Sequence, residues 1–546
     1  MPAPIRLGQS DFVSLREAGN LYVDKSGFVR EVLTVPAQVT LYPRPRRFGK
    51  TLNLSMLHAF LEIGPDRSAL FSDLEIWQDS ACRAHFQRYP VIKLTFKDIK
   101  QGTWAEAREA VDRALSAEVE RHAEALADPR IRGALRGRLE AVRAGTGQQS
   151  GMLLDLCEAL SIHHGEKAVV LIDEYDAGIL TAWTHGYYDE AVDFFRSFLS
   201  PGLKDNPFLY TGVLTGILRV ARESMFSGLN NIIVYSLLHR RPAEPFGFSE
   251  AEVMGLLDLF GRAAEADDVR RWYNGYRFGD TMVYNPWSIL CFLTQPGVPP
   301  EGYWLDTSDN ALMRSLLLES VDLRDRIATL IEGGSIEREI DENVTLRDLQ
   351  GDHVWALLLF AGYLRADAVR MDQGVRYVTL SIPNREVLLV WMGTFRDWLR
   401  ASAGAIEPLH AAIFAGDAPR IEAILSRMLT LHVSSHDVAK DQDETFYHAF
   451  VLGLLVTLEG THAVRSNREV GYGRADVQLI PKRPGLPGVV MEFKRRHGRK
   501  KLATLAGEAL TQTRDRAYAV ELEAAGATPI RRIGIGFSGK DVVVRV

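Results

Sequence analysis

The sequence predicts an α/β fold: a parallel sheet with helices on both faces, a helical middle region, and a C-terminal α/β segment built around a hairpin. Three observations carry this. The apolar run Val39–Tyr42 leads into Gly49-Lys50-Thr51 and then into Leu52–Leu61, which has helical periodicity. A second apolar run, Ala168–Ile172, ends in Asp173-Glu174. Near the C-terminus, two strand-like stretches flank the Pro- and Gly-rich turn Pro481–Gly488. The expected boundaries are 1–242, 243–405 and 406–546.

In chain order, Gly27–Leu33 reads as a short helix with Ser26 as its cap. The strand–loop–helix around Gly49-Lys50-Thr51 is the context a phosphate-binding loop requires. Backbone N–H groups at the helix start would face a phosphate, Lys50 would reach the β/γ-phosphates, and the Thr51 hydroxyl would hold Mg²⁺. One position departs from the usual pattern: Arg44 stands where a glycine is expected, six residues before the lysine. Val91–Phe96 reads as a second strand, and about 103–160 as long helices between strands. Asp173 at the end of its strand suits the water shell of Mg²⁺, and Glu174 suits activation of an attacking water. Taken alone, that pair is equally well a solvated acidic strand end. Asp176 is either a further acid or the cap of the next helix.

Phe208–Gly216 and Asn231–Leu238 supply two more strands, and strands alternating with helices imply a parallel sheet covered on both faces. Thr215 stands where a polar residue senses the γ-phosphate; Arg219 and Arg222 follow it as cations, or as ordinary surface arginines. Ser249 with Glu252 forms a capping box. The aromatic stretch Trp272–Phe278 favours core packing over stacking on a base. Tyr303–Asn310 opens a leucine-rich helix, and a short β element falls near Arg376–Ser381. This middle region carries no recognisable chemistry and reads as a lid or linker.

In the last third, Glu444–Leu455 is a helix carrying His448. Asn467–Ile480 and Val489–Lys494 form a hairpin. Glu492 and Lys494 share one face of their strand, while Met491 and Phe493 take the other. Asp476 and Glu492 are able to share Mg²⁺ through oxygen ligands, with Lys494 orienting water or stabilising phosphate charge. In isolation such a trio is more often a salt bridge on a solvated face. The basic run Lys494–Lys501 has no interleaved aromatics, so it suits backbone phosphates without base readout, or a solvated loop. Residues 533–544 add two strands. Gly534 and Gly536 are a Gly-x-Gly and not a dinucleotide fingerprint.

Bulk properties bound these readings. The chain has 546 residues, 46% hydrophobic and 25% charged, with a net charge of −6. That length implies several cores, and the charge argues against a wholly basic nucleic-acid binder. The sequence lacks the roughly eighteen-residue apolar run of a membrane helix and the apolar stretch of a secretory signal. Three separated cysteines, Cys82, Cys157 and Cys291, lack metal spacing and fit a reducing cytoplasm.

Taken together, Tyr22-Val-Asp-Lys-Ser26, Arg44-Pro-Arg-Arg-Phe-Gly-Lys-Thr-Leu52, Leu171-Ile-Asp-Glu-Tyr-Asp176 and Glu223–Asn231 resemble the AAA-ATPase-like family of bacterial proteins, as do Trp272–Phe278 and Tyr284–Leu290. The likeness spans about residues 5–300 and implies a P-loop NTPase sheet. In that family Arg-Pro-Arg-Arg-Phe-Gly-Lys-[Ser/Thr] is the usual loop, so Arg44 is a family trait. The resemblance implies ATP binding by Arg46, Arg47, Phe48, Gly49, Lys50, Thr51 and Asp173, with Arg46 or Arg47 standing in for backbone N–H groups that a glycine-rich loop would offer. The C-terminal run resembles the PD-(D/E)xK nuclease superfamily. Gly471-Tyr-Gly-Arg-Ala-Asp476 matches its Gly-x-Gly-Arg-x-Asp, and Glu492-Phe-Lys494 its Glu-x-Lys. Glu444 matches its helical acid and Gln512 its helical glutamine, with Tyr518 also in place. Thr513 replaces the usual Ile, and Ala475 the proline of the superfamily name.

These resemblances imply an ATPase joined to a Mg²⁺-dependent nuclease. Its metal ligands would be Thr51 and Asp173 at one site and Glu444, Asp476 and Glu492 at the other. Glu174, Asp476, Glu492, Lys494 and Gln512 would serve the chemistry. ATP and Mg²⁺ are the expected cofactors. The partner is nucleic acid, DNA ahead of RNA, with no membrane partner and homo-oligomerisation left open. Bacterial defence is the setting association suggests. The alternatives are an ATPase switch that binds nucleic acid without cutting it, and a scaffold that holds nucleotide with little turnover.

Overall fold

The computed structural model describes residues 2–219, 231–239, 245–304, 321–331, 333–342, 346, 352–403, 406–432, 444–455, 458, 460–470, 473–496, 500–515 and 520–546. They form two compact units, one of residues 1–308 with 337–387, the other of 309–336 with 388–546. Arg222, the stretch Glu223–Asn230, Asp306–Asn310, Gly471 and Tyr518 lie outside the described residues, as do positions 497–499 of the basic run.

The first unit is organised by a five-stranded sheet: β1 (Val39–Pro43), β2 (Val91–Thr95), β3 (Ala168–Asp173), β4 (Leu209–Gly216) and β5 (Ile232–Val234). The spatial order is β2-β3-β4-β1-β5, and every pairing is parallel. Side chains alternate faces along a strand, yet every residue of β1 and β3 is buried. The sheet is therefore covered on both faces, as its continuous apolar runs require. Being parallel, the strands bring the C-terminal ends of β1, β3 and β4 to one edge, where ligands of such sheets bind. The register pairs Tyr42 with Thr215 and Pro43 with Gly216.

The expected elements fall in place with local differences. β5 is shorter than the apolar run Asn231–Leu238. Residues 103–160 hold the helices Trp104–Arg121, Ala123–Leu126, Gly133–Arg143 and most of Met152–His164. The Ser249–Glu252 capping box is present in both directions. Ser26 occupies the cap position of the helix Gly27–Thr34 without bonding to it; its buried hydroxyl accepts from Ile76 N at 3.1 Å, because the turn at Glu75–Gln78 packs there. Tyr273, Tyr276 and Phe278 are buried, as packing predicts.

The middle segment is less purely helical than expected. β6 (Tyr276–Phe278) and β7 (Thr281–Val283) make a small hairpin. β8 (Ile336–Glu339), β9 (Arg365–Asp372) and β10 (Val375–Ser381) form a sheet in the order β8-β10-β9. β9 escaped the sequence pattern because Arg365, Asp367, Arg370 and Asp372 interrupt it and its second half is exposed, so no apolar run marks it.

The second unit carries a five-stranded mixed sheet: β11 (His462–Val470), β12 (Gly473–Pro481), β13 (Gly488–Arg495), β14 (Ile530–Ser538) and β15 (Asp541–Arg545), in that spatial order. The β12–β13 hairpin is as predicted. The stretch beginning at Asn467, read as one strand, is instead divided between β11 and β12, which pair antiparallel with each other. β13 and β14 are parallel, and the helix Leu502–Asp515 lies in the crossover between them, as a parallel pair demands. Gly534 and Gly536 are explained by that helix. A Cβ on Gly534 would sit 2.3 Å from Ala506 O and Leu510 N, and one on Gly536 2.8 Å from Leu502 O.

Glu386 is a fully buried acid at the start of the helix Arg385–Ala403. It accepts from Ser288 Oγ at 2.8 and 3.1 Å and from Trp304 N at 2.7 Å. Burial raises its carboxyl to about 7, against the opposing pull of these donors. The folded value exceeds the unfolded one, so the stabilisation is fully present below about pH 4.5 and is lost as pH rises through about 7. Glu386→Gln cannot ionise. Between about pH 5 and 8 wild type is expected to lose stability relative to this variant, by up to roughly 3 kcal/mol. Denaturant unfolding at a series of pH values checks it, and parallel profiles would rule the titration out.

Candidate active sites

The loop 44–49 leaves β1 and turns through two left-handed residues, Arg47 at φ 71° and Gly49 at φ 78°. Gly49 then starts the helix Lys50–Leu61. The loop opens on a cavity of about 480 Å³ whose lining includes Arg46, Arg47, Gly49, Lys50, Thr51 and Glu174. Behind it, Asp173 is 5% exposed. Its Oδ2 accepts from Thr51 Oγ1 at 2.7 Å and its Oδ1 from Thr215 Oγ1 at 2.6 Å. This joins the helix after β1 to the ends of β3 and β4. Thr51 and Asp173 are hard oxygen donors in direct contact, which is the donor chemistry Mg²⁺ takes.

Lys50 is buried and folds back on its own loop, with Nζ donating to Arg44 O at 3.0 Å and Pro45 O at 2.9 Å. Burial holds its pKa below the usual lysine value, though Glu174, Asp173 and Asp176 oppose this. Glu174 adopts φ 49° beside Asp173. Phe48 lines the cavity, but its ring packs on Tyr276 and Phe278 at 4.8 and 5.1 Å, so it belongs to the loop's foundation. Arg46 is exposed. Arg47 lies with its guanidinium 4.4 Å from the ring centroid of Trp287. Arg219 is half-buried and does not line the cavity.

Three residues have a structural meaning that the sequence left open. Arg44 is 1% exposed. Its Nη1 donates to Pro43 O at 2.8 Å and Tyr235 O at 2.6 Å, and it stacks on Phe246 and Phe278. Burial pushes its pKa down to about 10. It therefore pins the loop instead of facing the cavity. Asp176 occupies the cap position of the helix Ala177–His185, but its side chain makes no capping bond there. Its Oδ2 accepts from Ile217 N at 2.9 Å and Leu218 N at 2.7 Å, which fixes the chain leaving β4 to the chain leaving β3. Burial lifts its carboxyl to about 6. Trp287, in the helix Pro286–Leu293 capped by Asn285, lies in the Tyr284–Leu290 stretch that carries the resemblance, where no role is assigned to it.

In the second unit, the β12–β13 register pairs Val477 with Met491, which sets Asp476 opposite Glu492. Asp476 Oδ2 accepts from Phe493 N at 2.6 Å, extending the ladder with a side chain. Glu492 is 3% exposed, and its Oε1 accepts from Gln512 Nε2 of the helix Leu502–Asp515. His448 Nε2 donates to the Asp476 carbonyl at 2.7 Å and so fastens the helix that begins at Glu444 to β12. Lys494 is half-buried two residues beyond Glu492. In the parallel register Glu492 and Lys494 stand opposite Gly534 and Gly536. Their side chains therefore share the face on which the Gln512 helix lies. Asp476 and Glu492 present paired carboxylates, each held by a hydrogen bond, a donor set suited to Mg²⁺. The Glu444 side chain is outside the described residues.

The role of Arg44 is testable. Arg44→Gly restores the glycine of the general phosphate-loop pattern, yet it strips two carbonyls of their donor and empties a buried site. It is expected to cost about 3 kcal/mol of stability, read by denaturant unfolding. A variant as stable as wild type would remove the pinning role.

Each of the two segments that carry these residues is matched by a family model. Residues 6–226 match the family model described as predicted AAA-ATPase. Residues 442–546 match the model of the PD-(D/E)XK nuclease superfamily. A protein of Azotobacter chroococcum mcd 1, described as an uncharacterized protein in the vnfD 5′ region, is 27% identical over 566 residues, covering 97% of this chain and 96% of its own. One polypeptide thus carries a segment similar to the predicted AAA-ATPase model at residues 6–226 and a segment similar to the PD-(D/E)XK nuclease superfamily model at residues 442–546.

Proposed function

We propose that the first unit binds and hydrolyses ATP and that the second cleaves nucleic acid phosphodiesters with Mg²⁺, ATP turnover gating or positioning the cleavage. The observation that carries the first half is the Thr51–Asp173–Thr215 hydrogen-bonded trio beside a lysine-lined cavity. A triphosphate entering there competes with Arg44 O and Pro45 O for Lys50, and a charged acceptor wins over a neutral carbonyl. The first N–H groups of the helix Lys50–Leu61 have no partners within the helix, so they add donors to the phosphates. Glu174 takes a proton from the attacking water. Thr51 and Asp173 are the residues that would hold Mg²⁺, which when bound neutralises phosphate charge.

For the second half, Asp476 and Glu492 would hold the metal, with Glu444 as a further acid. A metal held by these carboxylates would supply Lewis-acid activation of water and of the phosphodiester. Lys494 stabilises charge on the phosphate oxygens. Gln512 keeps the Glu492 carboxylate in one rotamer. DNA is the substrate proposed ahead of RNA, and the Lys494–Lys501 run supplies backbone contacts.

Purified protein with Mg²⁺, with and without ATP, on labelled DNA and RNA tests both halves together. Glu174→Gln is expected to keep ATP affinity and lose hydrolysis by about 100-fold or more. Lys50→Ala is expected to lose binding as well. Asp476→Ala is expected to abolish cleavage while leaving hydrolysis intact. Wild type without turnover overturns the first half, and unchanged cleavage by Asp476→Ala overturns the second.

A further inference from the structure

The cavity in the first unit has two chemically different ends. One is polar, with Lys50, Thr51 and Glu174. The other is apolar: Leu21, Val23, Trp287 and Leu290 all line it and pack with Phe248 on one hydrophobic cluster. A volume of about 480 Å³ lies within the range of small-ligand sites. A triphosphate needs only the polar end. The apolar end calls for a flat or greasy group attached to it.

Trp287 is the flat surface at that end. Its ring is covered by a cation, the Arg47 guanidinium, 4.4 Å from the centroid. Its Nε1–H is closed off from solvent and has no acceptor among the described residues. Arg47 is itself held at φ 71°, a left-handed conformation that costs a non-glycine residue about 1 kcal/mol or more. Both residues line the cavity that Gly49, Lys50 and Thr51 enter. The Arg47 side chain is exposed and the ring partly buried, so the stacked cation gains about 0.5–2 kcal/mol, whereas a guanidinium on phosphate makes charge-assisted, bidentate bonds. Phosphate at the loop would therefore draw Arg47 off the indole.

We propose that Trp287 is the stacking platform for the nucleotide's base and that Arg47 covers it until a triphosphate draws the guanidinium away. This rests on the ATP-binding reading of the same cavity and adds to it the residue that recognises the base. The phosphate end and the base end are thereby coupled through one side chain: Arg47 cannot hold the phosphate and cover Trp287 at once. Stacking strength grows with ring area, so purine nucleotides bind ahead of pyrimidine ones.

Binding of ATP, CTP and inorganic tripolyphosphate, each with Mg²⁺, to wild type, Trp287→Leu and Trp287→Phe tests this by calorimetry. Trp287→Leu is expected to weaken ATP about tenfold or more and not to weaken tripolyphosphate, which gains up to a few-fold from an Arg47 no longer held on the ring, whereas Trp287→Phe retains most of the ATP affinity. ATP is expected to quench wild-type tryptophan emission more than tripolyphosphate does, and Trp287→Phe to lose that excess. Equal ATP affinity in Trp287→Leu overturns the proposal, as does an equal loss for ATP and tripolyphosphate, the signature of a damaged fold or loop. ATP and CTP binding equally well overturns the purine preference. Wild type that binds tripolyphosphate and ATP equally overturns the base subsite alone. Wild type that binds neither overturns the nucleotide reading and the subsite with it.

Discussion

The Asp173 carboxylate, held between the hydroxyls of Thr51 and Thr215, is the interaction on which the first unit depends. It ties the helix that follows β1 to the ends of β3 and β4, three segments far apart in sequence. Hydrogen bonds to an ionised group are worth about 1.5–3 kcal/mol each, so the pair also fixes the carboxylate against rotation. Nearby, Asp176 repeats the same logic with backbone donors, binding Ile217 N and Leu218 N. Gly216 is required there: a Cβ on it would lie 2.5 Å from Asp176 Oδ1 and 2.7 Å from the Tyr175 ring. The edge of the sheet is thus cross-braced before any ligand arrives, which is what preorganised electrostatics needs.

Much of this was legible because the relevant residues are contiguous. Gly49-Lys50-Thr51 and Asp173-Glu174 sit directly after apolar runs, and those runs became β1 and β3 almost residue for residue. Arg44 was not legible. Its partners, Tyr235, Phe246 and Phe278, lie some two hundred residues downstream, and no local pattern encodes them. Read by spacing alone it was a missing glycine, and read by resemblance a family trait. Only the fold shows it as a buried cation under the loop. Asp176 and Trp287 were obscure for the same reason: each acts on a neighbour from a different part of the chain.

The second unit shows a complementary limit. Glu492 and Lys494 fall on one face by strand periodicity, and the register with Gly534 and Gly536 bears that geometry out. As sequence those glycines were a bare Gly-x-Gly with no role assigned. They are contact points where the helix Leu502–Asp515 descends on β14, close enough for Gln512 to reach Glu492. The Asn467–Ile480 stretch divides at Gly471-Tyr472-Gly473, whose glycines were read as part of a motif and not as a break between strands. Resemblance identified Gln512; the structure supplies the physical reason a glutamine belongs there, an amide donor fixing a buried carboxylate.

The loop's foundations bear on how a nucleotide signal would leave the first unit. Phe48 is wedged against Tyr276 and Phe278 of β6. Arg44 stacks on the same Phe278. Pro45 lies so close to Gly362, just after the helix Asp352–Ala361, that a Cβ there would come within 2.8 Å of it. A protein interior packed this densely does not absorb a displacement locally. If Lys50 leaves Arg44 O and Pro45 O for a phosphate, the two residues it releases are the ones seated on β6 and on the 337–387 insertion. The segment without recognisable chemistry is therefore the one mechanically wired to the loop, and a change at the phosphates reaches it through Arg44 and Pro45 before it reaches any more distant part of the chain.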